Sequence, residues 1–128
     1  MTVGPYLLDT HVVIWHVTDS KRLSKNAETA IQKGELALSV AVFWEVVIKS
    51  RKNLLDVSDP VAWWDRAVSR LGAPVLSIRP AHVAVVADLA ALHADPFDRI
   101  MIAQAISEGY TLITNDPLIK RYPVKTLW

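Results

Sequence analysis

The 128-residue sequence contains no cysteine, which excludes disulfide bonds and any metal site built from thiolates. It also has little net charge, formally +1 at pH 7, so charge neither requires nor excludes a nucleic-acid partner. It lacks the roughly 18 uninterrupted apolar residues that a membrane-spanning helix needs. Its start, MTVGPYLLDT, lacks the basic region and cleavage site of a signal peptide. These absences predict a cytoplasmic protein with no membrane partner.

What the sequence does contain is enough apolar material for one folded domain. Hydrophobic residues make up 52% of the chain, and a length of 128 residues is typical of a single domain with one core. The sequence contains no internal repeat, low-complexity tract or linker that would divide it. We therefore expect one domain over residues 1–128.

Short apolar runs alternate with helical segments along the chain. The runs predict four strands and a C-terminal edge strand, at residues 6–9, 36–40, 75–78, 111–114 and 124–128. Caps, prolines and glycines predict helices at about 10–17, 24–34, 42–53, 59–72, 80–92 and 95–109, and a short helix from 115. Strands joined by helical crossovers form parallel sheets covered on both faces. The predicted fold class is therefore α/β, a three-layer α/β/α sandwich with a mostly parallel central sheet.

Two acidic residues directly follow predicted strands. Asp9 ends the first apolar run, and Asp116 follows the fourth. Ligands of open α/β sheets gather outside the carboxyl ends of the strands, so both acids are candidates for a binding site. Each also has a structural explanation, because Asp is a favoured helix N-cap and Asp116 precedes Pro117.

A third acid, Asp98, lies in the segment HADPFDRIMIAQA among apolar residues. Helical periodicity puts Asp98 on the same face as Met101 and Ile102. If Asp95 is the N-cap, Asp98 occupies the third helical position, where a carboxylate meets the positive end of the helix dipole. Capping does not explain the apolar surroundings, since a buried carboxylate must be paired, protonated or bound to metal.

Glu45 is the fourth candidate acid. Lys49 follows it by four residues, and Lys52 falls on the same side, so an ordinary ion pair on a solvated helix face also explains this position. Four converging carboxylates without cations would repel one another, so the set as a whole calls for a divalent metal. Oxygen ligands without cysteine favour Mg²⁺ or Mn²⁺ over zinc.

The four segments that carry these acids resemble PIN-domain ribonucleases, and within them the VapC-type toxins of bacterial toxin–antitoxin pairs. The similarity covers nearly the full length and is carried by LLDTHVVIW, SVAVFWEVVIK, HADPFDRIMIAQA and LITNDPLIKRYPVKTLW. It implies the PIN fold and a metal-dependent endoribonuclease. The catalytic, metal-binding acids that it implies are Asp9, Glu45, Asp98 and Asp116.

The resemblance gives the acids one task, to hold one or two Mg²⁺ or Mn²⁺ ions. We expect Asp9, Asp98 and Asp116 to be the main ligands, and Glu45 to bind directly or through water, because Mg²⁺ keeps several of its waters. The metal lowers the pKa of bound water and clamps phosphate oxygens, so no carboxylate needs to act as a nucleophile.

Other polar side chains near the acids are candidates for supporting roles. Three hydroxyls are expected to orient waters or a carboxylate, although each can equally cap a helix: Thr10, Ser39 and Thr114. Three cations are candidates for contacts with substrate phosphates, although each can equally be a solvated charge or an ion-pair partner: Lys49, Lys52 and Arg99. The four histidines show no regular metal-ligand spacing, so we expect packing or surface roles for them.

The resemblance also implies partners. They are an RNA substrate, a second copy of the chain, and an antitoxin whose C-terminal segment lies near the active site, in a heterotetramer or larger complex. The adjacent Trp63 and Trp64 cannot easily both point into one core, so we expect one of them at an interface.

Three alternative functions remain compatible with the sequence. A housekeeping RNA-processing or DNA-acting PIN nuclease would keep the same metal site. A non-catalytic RNA-binding or interaction module would use the acids only as helix caps. A metal-dependent phosphatase would act on small phosphomonoesters.

Overall fold

The structure, a computed structural model, describes residues 4–128, so the first three residues of the segment examined for a signal peptide lie outside it. Its centre is a five-stranded sheet in which every strand pair is parallel. The strands are β1 (Tyr6–Leu8), β2 (Leu36–Ser39), β3 (Val75–Leu76), β4 (Thr111–Ile113) and β5 (Thr126–Leu127). Their spatial order is β3-β2-β1-β4-β5, so the C-terminal strand lies at an edge, as predicted.

Six α-helices connect these strands within the described range. They are α1 (Thr10–Thr18), α2 (Lys25–Lys33), α3 (Val40–Arg51), α4 (Pro60–Leu71), α5 (Pro80–Asp88) and α6 (Pro96–Glu108), with short 3-10 turns at Ser20–Arg22 and Ile119–Arg121. The predicted N-caps are confirmed, since a first-turn backbone amide donates to the side chain of each of Ser24, Asp59 and Asp95. Gly72 and Gly109 end α4 and α6 in the left-handed conformation, at φ 58° and 75°.

Strands β3 and β5 are shorter than predicted, and three helical segments also differ from the sequence prediction. Helix α3 begins at Val40, two residues early, because the Ser39 hydroxyl accepts a hydrogen bond from the Ala41 amide at 3.0 Å and caps the helix directly behind β2. Helix α5 ends at Asp88 instead of near residue 92. In place of the short helix predicted from residue 115, a turn in which the Asp116 carboxylate accepts from the Leu118 amide at 2.9 Å leads into the 3-10 turn at Ile119–Arg121.

Strand order determines where the helices lie. The connections from β1 through β2 to β3 run in one direction along the sheet, and the connection from β3 returns across it to β4. Parallel crossovers are right-handed, so α1 to α4 cover one face while α5 and α6 cover the other. This confirms the three-layer α/β/α prediction. The order reverses between β1 and β4, where open sheets of this class form a crevice.

The core packs against both faces of the sheet. All residues of β1 and β2 are buried, as expected of central parallel strands. Trp63 and Trp64 are 1% and 9% exposed, so the expectation that one of them lies at an interface is wrong. Trp64 stacks on Phe43 of α3 with ring centroids 4.9 Å apart, so the α3–α4 contact accommodates the second ring. No helix in the range 4–128 is long and apolar enough to cross a membrane.

Candidate metal centre

A cleft of about 230 Å³ opens at the carboxyl ends of β1 and β4. All four acids singled out in the sequence line it. Asp9 follows β1, Asp116 follows β4, Glu45 projects from α3, and Asp98 belongs to the first turn of α6. The structure therefore brings together side chains that are up to about 100 positions apart in the sequence, at the reversal point of the sheet.

Asp9 does not behave as a simple helix cap. Its backbone precedes α1, but its side chain makes no capping hydrogen bond. Instead, Oδ2 accepts from the Thr114 hydroxyl at 2.8 Å. The other oxygen, Oδ1, is buried and has no hydrogen-bond partner among the described residues. Burial raises the pKa of this carboxyl, although the hydrogen bond from Thr114 opposes the shift.

Asp116 combines a local structural bond with a contact to another segment. Its Oδ1 accepts from the Leu118 amide, which forms the turn after β4. Its Oδ2 lies 2.9 Å from Nε2 of His93. One carboxylate oxygen of Asp116 therefore stabilises the local turn, and the other contacts His93, 23 positions earlier in the sequence.

Asp98 is a largely buried acid of the cleft. Its neighbour Asp95 caps α6, with Oδ1 accepting from the amides of Phe97 and Asp98 at 2.8 and 3.2 Å. The Asp98 side chain itself is only 14% exposed and does not take part in that cap. Burial, followed by the charges of neighbouring acids, of which Asp9 contributes most, raises the pKa of Asp98 to about 8.

Glu45 is buried, so the solvated-face alternative for this position is wrong. Its Oε1 accepts from the Thr10 hydroxyl at 2.5 Å, and its Oε2 contacts Nζ of Lys49 at 2.6 Å. Lys49 also reaches Asp95 Oδ2 at 2.8 Å. Burial alone would lower the pKa of Lys49, but the hydrogen bonds to Asp95 and Glu45 outweigh it and raise the pKa above its ordinary value. Lys49 is therefore a cation held between the carboxylates of Glu45 and Asp95.

The three predicted hydroxyls divide into two groups. Thr10 and Thr114 contact acids of the cleft, and both are fully buried. Ser39 does not: its hydroxyl caps α3 and donates to Oε1 of Gln104 at 2.6 Å. Ser39 thus joins the end of β2 to α6, and the capping alternative describes it.

Two predicted phosphate contacts lie elsewhere. Lys52 is an exposed C-cap residue of α3 and does not line the cleft. The Arg99 guanidinium donates to the carbonyl oxygens of Ala90 at 2.9 Å and Val86 at 3.3 Å, and to the Tyr122 hydroxyl at 3.2 Å. Arg99 makes no ion pair with an acid of the cleft among the described residues. It donates to carbonyls of the last turn of α5 and of the segment that follows, which are groups left without helical partners where that helix ends.

His93 is the residue that sequence reasoning missed. Its Nε2 lies 2.9 Å from Asp116 and 3.0 Å from Asp98, so the expectation that the histidines have only packing or surface roles is wrong for this one. Regular spacing could not reveal it, because its partners come from α6 and from the turn after β4. The available signal was its position, two residues before the cap of the helix that carries Asp98.

The donor set fits a divalent cation. Two groups in the described range bring polar side-chain atoms within 4.8 Å of one another: Asp98 and Asp116 lie beside His93, and Asp98 lies beside Glu45 and Asp95. The unpaired Oδ1 of Asp9 provides a further buried oxygen at the same cleft. Clustered carboxylates raise one another's pKa in the absence of a counterion, and oxygen-rich sites suit hard divalent ions.

Comparison with known proteins agrees with this geometry. The family model for the PIN domain matches residues 6–125. Ribonuclease VapC22 of Mycobacterium tuberculosis is 30% identical over 128 residues, covering 95% of this chain and 97% of the relative.

Two solved structures share the fold at low sequence identity. DNA-bound VapBC from Salmonella typhimurium has a TM-score of 0.72 at 16% identity, covering 99% of this chain and 98% of that one. VapBC2 from Rickettsia felis, bound to a DNA fragment from its promoter, has a TM-score of 0.71 at 18% identity, covering 95% and 96%. The family model and the mycobacterial relative show that the chain belongs to the PIN domain family and, within it, to the VapC group.

Proposed function

We propose that this chain is a Mg²⁺- or Mn²⁺-dependent endoribonuclease that acts in the cytoplasm as the toxin of a toxin–antitoxin pair. The observation that carries the proposal is the convergence of four carboxylates in one cleft, with a buried Asp9 oxygen that no donor within residues 4–128 satisfies. The name of the mycobacterial relative supports ribonuclease activity.

The proposed ligands are Asp9, Asp98 and Asp116. Glu45 would act through water, because Thr10 and Lys49 already donate to its two oxygens. A divalent cation held there would lower the pKa of a water molecule and neutralise charge on the scissile phosphate.

The chain's own residues prepare this site before any ion binds. Thr114 holds Oδ2 of Asp9, which leaves Oδ1 as the free ligand atom. Lys49 balances the charge of Glu45 and lines the cleft, so it is the predicted cation best located to meet a phosphate oxygen. Lys52 and Arg99 are less suitable, because neither lines the cleft.

The proposed partners follow from the similar structures. Both are complexes of a VapC-type chain with its VapB partner on DNA, which supports a protein antitoxin for this chain. We propose a homodimer that forms a heterotetramer or a larger complex with that antitoxin.

The test compares the parent chain with Asp98→Asn and with Asp65→Asn, an exposed acid of α4 outside the cleft. Each is incubated with total cellular RNA in Mg²⁺, in Mn²⁺ and in chelator. We expect discrete cleavage by the parent and by Asp65→Asn in either metal, and none by Asp98→Asn or in chelator.

The same proteins distinguish the alternatives. Cleavage of DNA instead of RNA would favour the DNA-acting nuclease, and hydrolysis of a phosphomonoester alone would favour a phosphatase. RNA binding that ignores both metal and Asp98 would overturn the nuclease proposal. Induced expression in bacteria should arrest growth with the parent and not with Asp98→Asn, whereas normal growth with the parent would contradict the toxin role.

A further inference from the structure

His93 sits between two acids of the proposed metal site. Its Nε2 is 3.0 Å from Asp98 Oδ2 and 2.9 Å from Asp116 Oδ2, and the side chain is 12% exposed. The residue belongs to the loop between α5 and α6, so it reaches the cluster from a segment that carries none of the four acids.

The other ring nitrogen indicates which nitrogen carries the proton. The backbone amide of Asp95 lies 3.2 Å from Nδ1 of His93 and can only donate to it. Nδ1 therefore offers its lone pair to this amide, and in the neutral ring the proton resides on Nε2. An Nε2–H faces the two carboxylates as a hydrogen-bond donor, whereas a metal ligand would need a free lone pair on Nε2.

We propose that His93 is a positioning residue, not a metal ligand: its Nε2–H holds the carboxylates of Asp98 and Asp116 side by side in the arrangement that receives the cation. This inference rests on the proposed function for its metal site. Donors of this kind orient ligands around many metal centres, and they also select the tautomer of the ring.

The loop that carries His93 is held by two remote side chains. The buried Tyr122 hydroxyl accepts from the amides of Leu92 and His93 at 3.1 and 2.9 Å, and it donates to the Ala90 carbonyl at 2.7 Å. Arg99 contacts that hydroxyl and the same carbonyl. His93 is thus held at its backbone amide, at Nδ1 and at Nε2, as expected of a residue that positions other side chains.

The first measurement is histidine ¹⁵N NMR of the full chain, with the His93 resonances assigned by their loss in His93→Gln. We expect a protonated Nε2 and an unprotonated Nδ1 without metal, and the same tautomer after Mg²⁺ is added. A neutral ring that carries its proton on Nδ1 and not on Nε2 in the metal-free chain, or a switch to that tautomer when Mg²⁺ binds, would overturn the proposal in favour of direct ligation.

The second measurement is Mn²⁺ affinity, determined by calorimetry for the parent and three variants. His93→Ala removes the donor and should weaken binding by roughly 10- to 100-fold. His93→Gln can place an amide N–H near the position of Nε2 and should recover most of the affinity. His16→Gln, on α1 and outside the cleft lining, is the matched control and should bind as the parent does.

These outcomes separate this inference from the proposed function. Unchanged Mn²⁺ affinity in His93→Ala, even with a lowered melting temperature, would reduce His93 to a packing residue. Loss of affinity in His93→Gln equal to that in His93→Ala would also contradict the positioning role. A parent chain that binds Mn²⁺ and shows the expected tautomer but leaves RNA intact would reject the nuclease while the inference stands.

Discussion

The Thr114 hydroxyl donates to Oδ2 of Asp9 across the β1–β4 boundary at 2.8 Å. The same hydroxyl accepts from the Asp116 amide at 3.1 Å, so one buried side chain ties together two acids of the cleft. Because Oδ1 of Asp9 has no partner among residues 4–128, this bond is the one that fixes the direction of the carboxylate.

Replacement of Thr114 by valine should therefore weaken the site without a change in side-chain shape. We expect the free energy of unfolding to fall by roughly 1–3 kcal/mol, the typical cost of a buried polar group that loses its partner. Mn²⁺ affinity should fall as well, because Asp9 would no longer be held. Urea denaturation and calorimetry measure the two effects, and Thr114→Ser, which keeps the hydroxyl, should retain both. Stability and Mn²⁺ affinity in Thr114→Val equal to those of the parent would contradict the role given to this hydrogen bond.

The stability of the metal-free chain should depend on pH through Asp98. Burial and the neighbouring acids raise its pKa to about 8, against an ordinary value of 3.8. Between those values the folded state keeps a proton that the unfolded state has released, so the free energy of unfolding falls as pH rises from about 4 to about 8. Asp98→Asn should flatten this dependence in urea titrations carried out across that range. A stability that rises with pH in the parent would contradict the shift.

Metal binding should restore the stability that the metal-free chain loses as pH rises. A bound cation displaces the Asp98 proton, so Mg²⁺ or Mn²⁺ should raise the melting temperature more at about pH 8.5 than at about pH 6. Calorimetry in two buffers of different ionisation enthalpy would detect the released proton near neutral pH. Equal metal stabilisation at both pH values would argue against an Asp98 that is protonated before binding.

Lys49 should contribute to folding through its ion pairs with Glu45 and Asp95. The glutamate is 1% exposed, so Lys49→Met would leave a buried carboxylate without its cation. We expect a loss of roughly 1–3 kcal/mol in the free energy of unfolding. The double variant with Glu45→Gln should recover part of that loss, which a double-mutant cycle measures. Lys52→Met, an exposed lysine on the same helix, should change stability little, and an equal loss there would indicate a general effect of lysine removal.

Arg99 should matter for stability more than for substrate affinity. Its guanidinium donates to carbonyl oxygens in and after the last turn of α5 and to Tyr122, so Arg99→Met should lower the free energy of unfolding by roughly 1.5–3 kcal/mol. Arg99→Lys should recover little, because lysine lacks the planar fork. Arg66→Met, an exposed arginine of α4, is the control for charge removal. A raised KM for RNA with unchanged stability would instead restore the predicted phosphate contact.

Local features of the sequence were sufficient to predict the order of elements and the positions of the acids. Apolar runs reveal buried strands, and the caps at Ser24, Asp59 and Asp95 act on amides only two or three residues away. Acids that end strands of a parallel sheet must meet at one edge, so Asp9 and Asp116 were predictable as a pair. These inferences succeed because backbone hydrogen bonding and helix capping depend on near neighbours.

Only the tertiary structure decided what each polar side chain contacts. Glu45 is buried and accepts a hydrogen bond from Thr10, Arg99 donates to the Ala90 carbonyl after α5 and not to the acids, and His93 reaches Asp98 from a loop. Each of these contacts joins segments whose separation in the sequence carries no regular spacing. The direction of such a side chain depends on which remote donor or acceptor the folded chain brings within hydrogen-bond distance, and that is a property of packing, which periodicity along the sequence does not encode.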